Sequence, residues 1–203
     1  MEIFDKDNKM IQKLPAGTRK GINIVYWNIR MKPPKVPVSP QIEGSAFTGP
    51  NYPAGEYTIK LYKGSQVYDS KIRLLFDPAS QHSVKDQETR QEALMNAYHL
   101  LETLAWYDRQ ATTIRDAAKE RSKGTSKSLG RQLHDAETRM DSLHLKMVVM
   151  KEGKVIGEER LREKTGFLYG SIMSYKGKPT DSQLNGLTSL SQEAEKINAD
   201  LNG

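Results

Sequence analysis

The side chains most able to do acid–base or metal chemistry in this sequence are four histidines, His82, His99, His134 and His144. None stands three or four residues from another, and neither H-x-x-x-H nor H-E-x-x-H occurs, so no helix face presents two imidazoles to one metal ion. His134 beside Asp135 has the residue types of a relay. Adjacent helical positions diverge by about 100°, however, and cannot face each other, so all four histidines read as solvated or hydrogen-bonded surface groups. Carboxylate pairs are available at Asp5/Asp7, Glu158/Glu159 and Glu193/Glu195. Glycoside hydrolysis needs two acids about 5–9.5 Å apart in a pocket, and these lie in turns or on solvated helix faces. The glycines of Lys151-Glu-Gly-Lys-Val-Ile-Gly157 lack the G-x-x-x-x-G-K-[ST] order that cradles phosphate. The absence of cysteine excludes thiolate metal sites, disulfides and a cysteine nucleophile. The expectation is therefore of no catalytic, metal or cofactor site in this chain.

Aromatic side chains offer binding chemistry instead. Tyr26, Phe47, Tyr52 and Tyr68 lie in the basic first part of the chain, where rings stack on sugars or on bases. Residues 1–78 hold 12 Lys+Arg against 7 Asp+Glu, a net of +5, and residues 79–203 hold 19 against 18. That excess, spread over 78 residues without an RNP-like or helix-turn-helix pattern, reads as solubility charge rather than a nucleic-acid track. Tyr26, Phe47, Tyr52 and Tyr68 are thus candidates for contact with a protein partner or a sugar, whereas Trp27 and Trp106 sit in periodic patterns and are assigned to cores.

Two kinds of element must position these residues. The 203 residues suit two small domains, and the hydrophobic period changes near Pro78. Before it, period 2 dominates. Residues 21–29 read as a central strand with Val25, Trp27 and Ile29 inward and Ile24 and Tyr26 on a partly covered opposite face. Residues 56–62 and 71–76 form a hairpin around Lys63-Gly64-Ser65, and residues 2–4 and 10–14 flank a turn at Asp5-Lys6-Asp7-Asn8-Lys9. Six of nine prolines fall in 33–53. Proline cannot donate to a sheet ladder, so this stretch is expected as a long loop or an edge excursion, exposed and facing a partner. Residues 1–78 are thus expected as an antiparallel β-sandwich.

After Pro78 the period is helical. Leu94, Ala97, Leu101 and Leu104 hand over to Tyr107, Ala111, Ile114 and Ala118 in a helix over about 83–122, closed by Gly124, with Ser83 and Asp86 as a capping pair. Leu129, Leu133, Ala136, Met140, Leu143, Met147 and Met150 repeat every three or four residues, the seam of a second helix. A loop at 151–157, a third helix over 158–175 weakened by Gly166 and Gly170, and a fourth opened by a Thr180/Gln183 capping box complete residues 79–203 as an antiparallel bundle of three to four helices. The fold class is α+β in two domains. No stretch has the ~18 uninterrupted apolar residues of a membrane span.

Ile3-Phe4-Asp5, then Gly21-Ile22-Asn23-Ile24-Val25-Tyr26-Trp27-Asn28, then Pro53-Ala54-Gly55-Glu56-Tyr57-Thr58-Ile59 together resemble the Ig-like domain of the flagellar-hook-capping type. Phe76-Asp77-Pro78 before a long helix and Lys178-Pro179-Thr180 before a last one resemble the C-terminal region of secreted bacterial sortilin-type β-propeller proteins, the BNR-repeat glycosyl-hydrolase-like family. The resemblance covers nearly the whole chain in layout through short motifs, and it departs from the family pattern at 32–48, which is long and proline-rich. It implies an Ig-like sandwich before the bundle, an extracytoplasmic location and an upstream propeller as partner, absent from this chain and normally carrying any catalytic site. Met1-Glu2-Ile3-Phe4-Asp5 has no signal-peptide pattern and enters a strand at once, which reads as a piece of a longer protein with Met1 added. The function expected is a non-catalytic accessory module. A carbohydrate-binding module using the sandwich aromatics is one alternative, and a hydrolase with a site between the domains is a second.

Overall fold

The computed structural model describes residues 1–41, 44–150 and 158–202, so the loop expected at 151–157 lies outside the described residues. The protein is α+β, with one four-stranded antiparallel sheet and four helices. It divides into two units, Met1–Met31 with Asn51–Val84, and Lys32–Pro50 with Lys85–Gly203.

In the first unit, β1 (Glu2–Phe4) and β2 (Met10–Lys13) are joined by the expected polar turn. Asp5 Oδ1 accepts from the amides of Asp7 and Lys9 at 3.0 and 2.9 Å. Asn8 takes φ +58°, which its short polar side chain tolerates. β3 (Gly55–Lys63) and β4 (Gln66–Leu74) form the second hairpin, its two-residue loop turning on Gly64 at φ +59°. The strand order is β2-β1-β3-β4. Ile3, Leu14 and Tyr57 are buried on one face of the sheet, with Val25, Trp27, Tyr52 and Leu74 packed around them.

Residues 21–29 correct the expectation of a central strand. Their alternation holds, with Val25, Trp27 and Ile29 half-buried and Ile22, Ile24 and Tyr26 outward. The backbone joins no ladder beyond a single bridge, Arg30 to Asn51. The segment lies on the sheet's face through Trp27, and period 2 fixes which side chains point inward without fixing whether the backbone meets a free edge. Ile29, at φ +49°, ends it. A β-branched residue there is strained and is held by the amide of Tyr52, which donates to Ile29 O at 2.8 Å. Among the described residues one sheet stands where a two-sheet sandwich was expected.

In the second unit, α1 (Val84–Arg121), α2 (Lys127–Met147), α3 (Leu161–Ser174) and α4 (Asp181–Asn202) follow the helical period closely. Gly124, at φ +74°, follows α1. Ser126 caps α2 by accepting from the amide of Leu129. The Thr180/Gln183 box is formed, with Gln183 N donating to Thr180 Oγ1 at 3.2 Å and Thr180 N donating to Gln183 Oε1 at 2.9 Å. Arg90 of α1 donates to the carbonyls of Ile172, Met173 and Tyr175, filling the acceptors that a helix C-terminus leaves open. Burial pulls the pKa of its guanidinium down. Among the described residues no helix is long and apolar enough to cross a membrane.

The proline-rich stretch corrects a second expectation. Lys32–Pro50 belongs to the helical unit, so the change of unit does not fall at Pro78 alone. Pro34, Pro37, Ala46 and Pro50 are buried. Tyr169 Oη donates to Thr48 O at 2.6 Å, Arg162 Nη2 to Gln41 O at 3.0 Å and Ser39 Oγ to Val149 O at 2.7 Å. Proline excludes this stretch from a sheet, as expected, but an apolar ring with no amide hydrogen is well suited to pack on a helix.

Candidate functional site

The seam of α1 runs Leu94, Ala97, Leu101, Leu104, Asp108, Ala111, Arg115 and Ala118, in alternating steps of three and four. Asp108 and Arg115 therefore take the inward places expected for Tyr107 and Ile114. Both meet α2. Asp108 Oδ1 lies 2.5 Å from His144 Nδ1, with both side chains under a tenth exposed, and Arg115 Nη1 donates to Asp141 Oδ1 at 3.3 Å. His144 follows Met140 by four residues and precedes Met147 by three, on the buried face of α2. The reading of all four histidines as surface groups fails here. The signal that could have found the pair is an acid and an imidazole each standing at a core position of its own helix.

This pair lines a cavity of about 870 Å³ in the helical unit, walled by residues 35–40 and by Arg109, Thr112 and Met150. A carboxylate on Nδ1 fixes the imidazole's orientation. Nε2 lies 3.1 Å from Met150 Sδ, so both ring nitrogens are engaged within the protein. Arg115 also donates to Asp116 at 2.9 Å. That bond leads the causes that raise its pKa, with Asp141 adding to it. The arrangement couples α1 to α2 through one buried and one partly exposed polar pair, and Asp108, Arg115 and His144 of these pairs line the cavity. Among the described residues no three His, Cys, Asp or Glu side chains converge on a metal position.

The aromatic candidates are not brought onto one platform. Tyr52 is part of a cluster with Trp27 and Tyr57, ring centroids 5.6 and 6.1 Å away, and its Oη donates to Ile11 O at 3.1 Å. Burial raises its pKa. Burial raises that of Tyr57 too, with the negative charges of Tyr52 and Asp5 adding to the shift. Trp27 Nε1 donates to Gln12 Oε1 at 3.0 Å. Tyr26, on the extended segment, is 85% exposed. Tyr68 projects from β4, and Phe47 from a 3-10 turn of the helical unit. Trp106, expected in a core, is 53% exposed on α1, because the seam passes through Leu104 and Asp108 and leaves position 106 on the opposite side. It lines a shallow depression with His99, Glu102, Tyr107 and Asn198.

The sheet unit's outer surface holds apolar groups instead. Ile22, Ile24 and Tyr26 are exposed at every second position of the segment, Ile22 by 94%. Leu61, Tyr68 and Ile72 extend the covered face of the sheet beyond the reach of Trp27, and they are exposed as well. Comparison with known proteins gives no match to any family model, curated protein or solved structure.

Proposed function

We propose that this chain is a non-catalytic interaction module that supports an upstream β-propeller in a secreted, extracytoplasmic glycosyl-hydrolase-like protein, its sheet unit an Ig-like domain that gains cover from a partner. The observation that carries this reading is the row Ile22, Ile24 and Tyr26. An extended segment with apolar side chains on both faces is the pattern of a strand covered on both sides, and here only the Val25–Trp27 side is covered. Bare apolar surface of this kind marks sites of protein association.

The test is hydrogen exchange on this chain and on the longer polypeptide with its upstream sequence. Amides of 21–29 are expected to exchange at least tenfold more slowly in the longer protein. Equal exchange in both, or an upstream reading frame with no propeller, overturns the reading. A second reading, a carbohydrate-binding module, draws on the exposure of Tyr26 and Tyr68. It requires retardation on polysaccharide gels that Tyr26→Ala or Tyr68→Ala abolishes.

A further inference from the structure

β4 is an edge strand. It pairs with β3 along all nine residues, and among the described residues no strand lies on its other side. It contains no proline and is exposed along its length up to Leu74. A long open edge of this kind is a template for another strand. We propose that a second copy of this chain pairs there, β4 against β4, antiparallel about a two-fold axis through Ser70. This goes beyond the reading above, since it uses the sheet edge and not the row at 22–26.

Backbone parity comes first. The hairpin loop has two residues, which makes Lys63 and Gln66 a hydrogen-bonded pair. Tyr68, Ser70, Ile72 and Leu74, each a further two residues along, then direct their amides and carbonyls at β3. Val67, Asp69, Lys71 and Arg73 direct theirs at the free edge. An antiparallel partner must therefore meet odd residues with odd residues, which restricts a β4–β4 pair to axes through a residue.

Charge then selects among those axes. Centred on Asp69, the pairing sets that carboxylate against its own copy, and centred on Lys71 it does the same with two ammonium groups. Like charges directly opposite destabilise a sheet. Centred on Ser70, Asp69 faces Lys71 of the other copy on both sides of the axis, and Tyr68 faces Ile72, an aromatic and β-branched pair of the kind that stabilises sheets. This register also uses all nine residues. Lys71 Nζ already holds Glu56 Oε1 at 2.5 Å, so the incoming Asp69 adds a second carboxylate to one ammonium.

The same register covers exposed apolar surface. Leu61, Tyr68 and Ile72 share the face of Tyr57 through the pairs Leu61 to Tyr68 and Tyr57 to Ile72. The two-fold sets Tyr68 of each copy beside Ile72 of the other and continues that face across an eight-stranded sheet. The contact is isologous and closed, so it ends at a dimer.

The chain has no cysteine, which permits a direct test on the full chain. At a non-hydrogen-bonded antiparallel position facing Cα atoms lie about 4.5 Å apart, within disulfide reach. Ser70→Cys is expected to oxidise to a covalent dimer in high yield. Gln66→Cys, whose own copy lies eight residues along the partner strand, is expected to stay largely monomeric. In parallel, sedimentation of the cysteine-free chain should show a monomer–dimer equilibrium. Asp69→Lys or Lys71→Asp alone should weaken it at least tenfold, and the two together should restore it. A protein monomeric at sub-millimolar concentration, equal cross-linking at 66 and 70, or charge swaps without mutual rescue would each overturn the proposal.

Discussion

The two units of this protein differ in what they bury, although both leave apolar side chains exposed, Phe47, Trp106 and Phe167 among them in the helical unit. The helical unit buries charge, with Asp108 against His144 and Arg162 Nη1 against Glu163 Oε1 at 2.7 Å, and it folds a proline-rich segment into its own surface. The sheet unit buries little beyond Ile3, Leu14 and Tyr57, and leaves Ile22, Ile24, Tyr26, Leu61, Tyr68 and Ile72 bare. The buried hydrogen bond between Asp108 and His144 fixes which faces of α1 and α2 meet, because any other register strands a buried polar group. A sheet face that leaves Leu61, Tyr68 and Ile72 exposed has no such internal demand, and surface of this kind suits association.

The largest effect that could break this contrast is expected at Asp108. Asp108→Ala leaves the imidazole of His144 without its buried hydrogen-bond partner and should cost about 3 kcal/mol, read as a lowered urea midpoint followed by helical circular dichroism. Asp108→Leu with His144→Leu should lose far less. If the single and double variants are equally unstable, the pair does not set the seam. Trp27→Ala comes next. With Trp106→Phe as background, so that Trp27 alone fluoresces in the parent, the loss should be about 2 kcal/mol, below the roughly 3–5 of a fully buried tryptophan. Backbone-amide protection of the sheet unit measures it in the variant. A loss confined to that unit sharpens the comparison, and an equal loss in the helices breaks it.

Arg90→Ala should cost about 1.5–3 kcal/mol by freeing three carbonyls at the end of α3, and Arg90→Lys should recover only part, since a single ammonium lacks the guanidinium's fork. Alkaline pH should weaken the sheet unit through Tyr52 and Tyr57, as it should the helical unit through Tyr107, whose pKa burial also raises. Tyr52 and Tyr57 ionise at higher pH folded than unfolded, so their contribution is complete below about pH 10, the phenol value of the unfolded chain, and falls as pH rises through the folded values. Absorbance at the phenolate band followed together with helical dichroism should show tyrosine ionisation preceding loss of helix. The smallest effect is expected at Ile24→Ser, within about 0.5 kcal/mol. A larger loss would mean that this side chain is covered within the chain.

Much of the fold was legible because it is local. The Thr180/Gln183 box, the polar turn at Asp5 to Lys9 and the tight turn at Gly64 each join residues a few positions apart, so residue type at fixed spacing specifies them. The helices were legible through period, and α1 was expected at 83–122 and found at Val84–Arg121. The cavity was not legible. Asp108 and His144 are 36 positions apart, and polar residues in an apolar stripe read singly as interruptions, so the pattern passed instead through Tyr107 and Ile114.

What the sequence determined by itself is therefore the alternation of residues 21–29, the helical stripes, the caps and the exclusion of prolines from the sheet, all properties of short stretches whose geometry repeats. Tertiary structure alone decided that residues 21–29 lie on a sheet face without a ladder, and that Lys32–Pro50 packs with α3. It decided too that Asp108 meets His144, and that no strand among the described residues pairs with the outer side of β4. Each of these depends on which surface another part of the chain leaves free, and no repeat along a single segment encodes that.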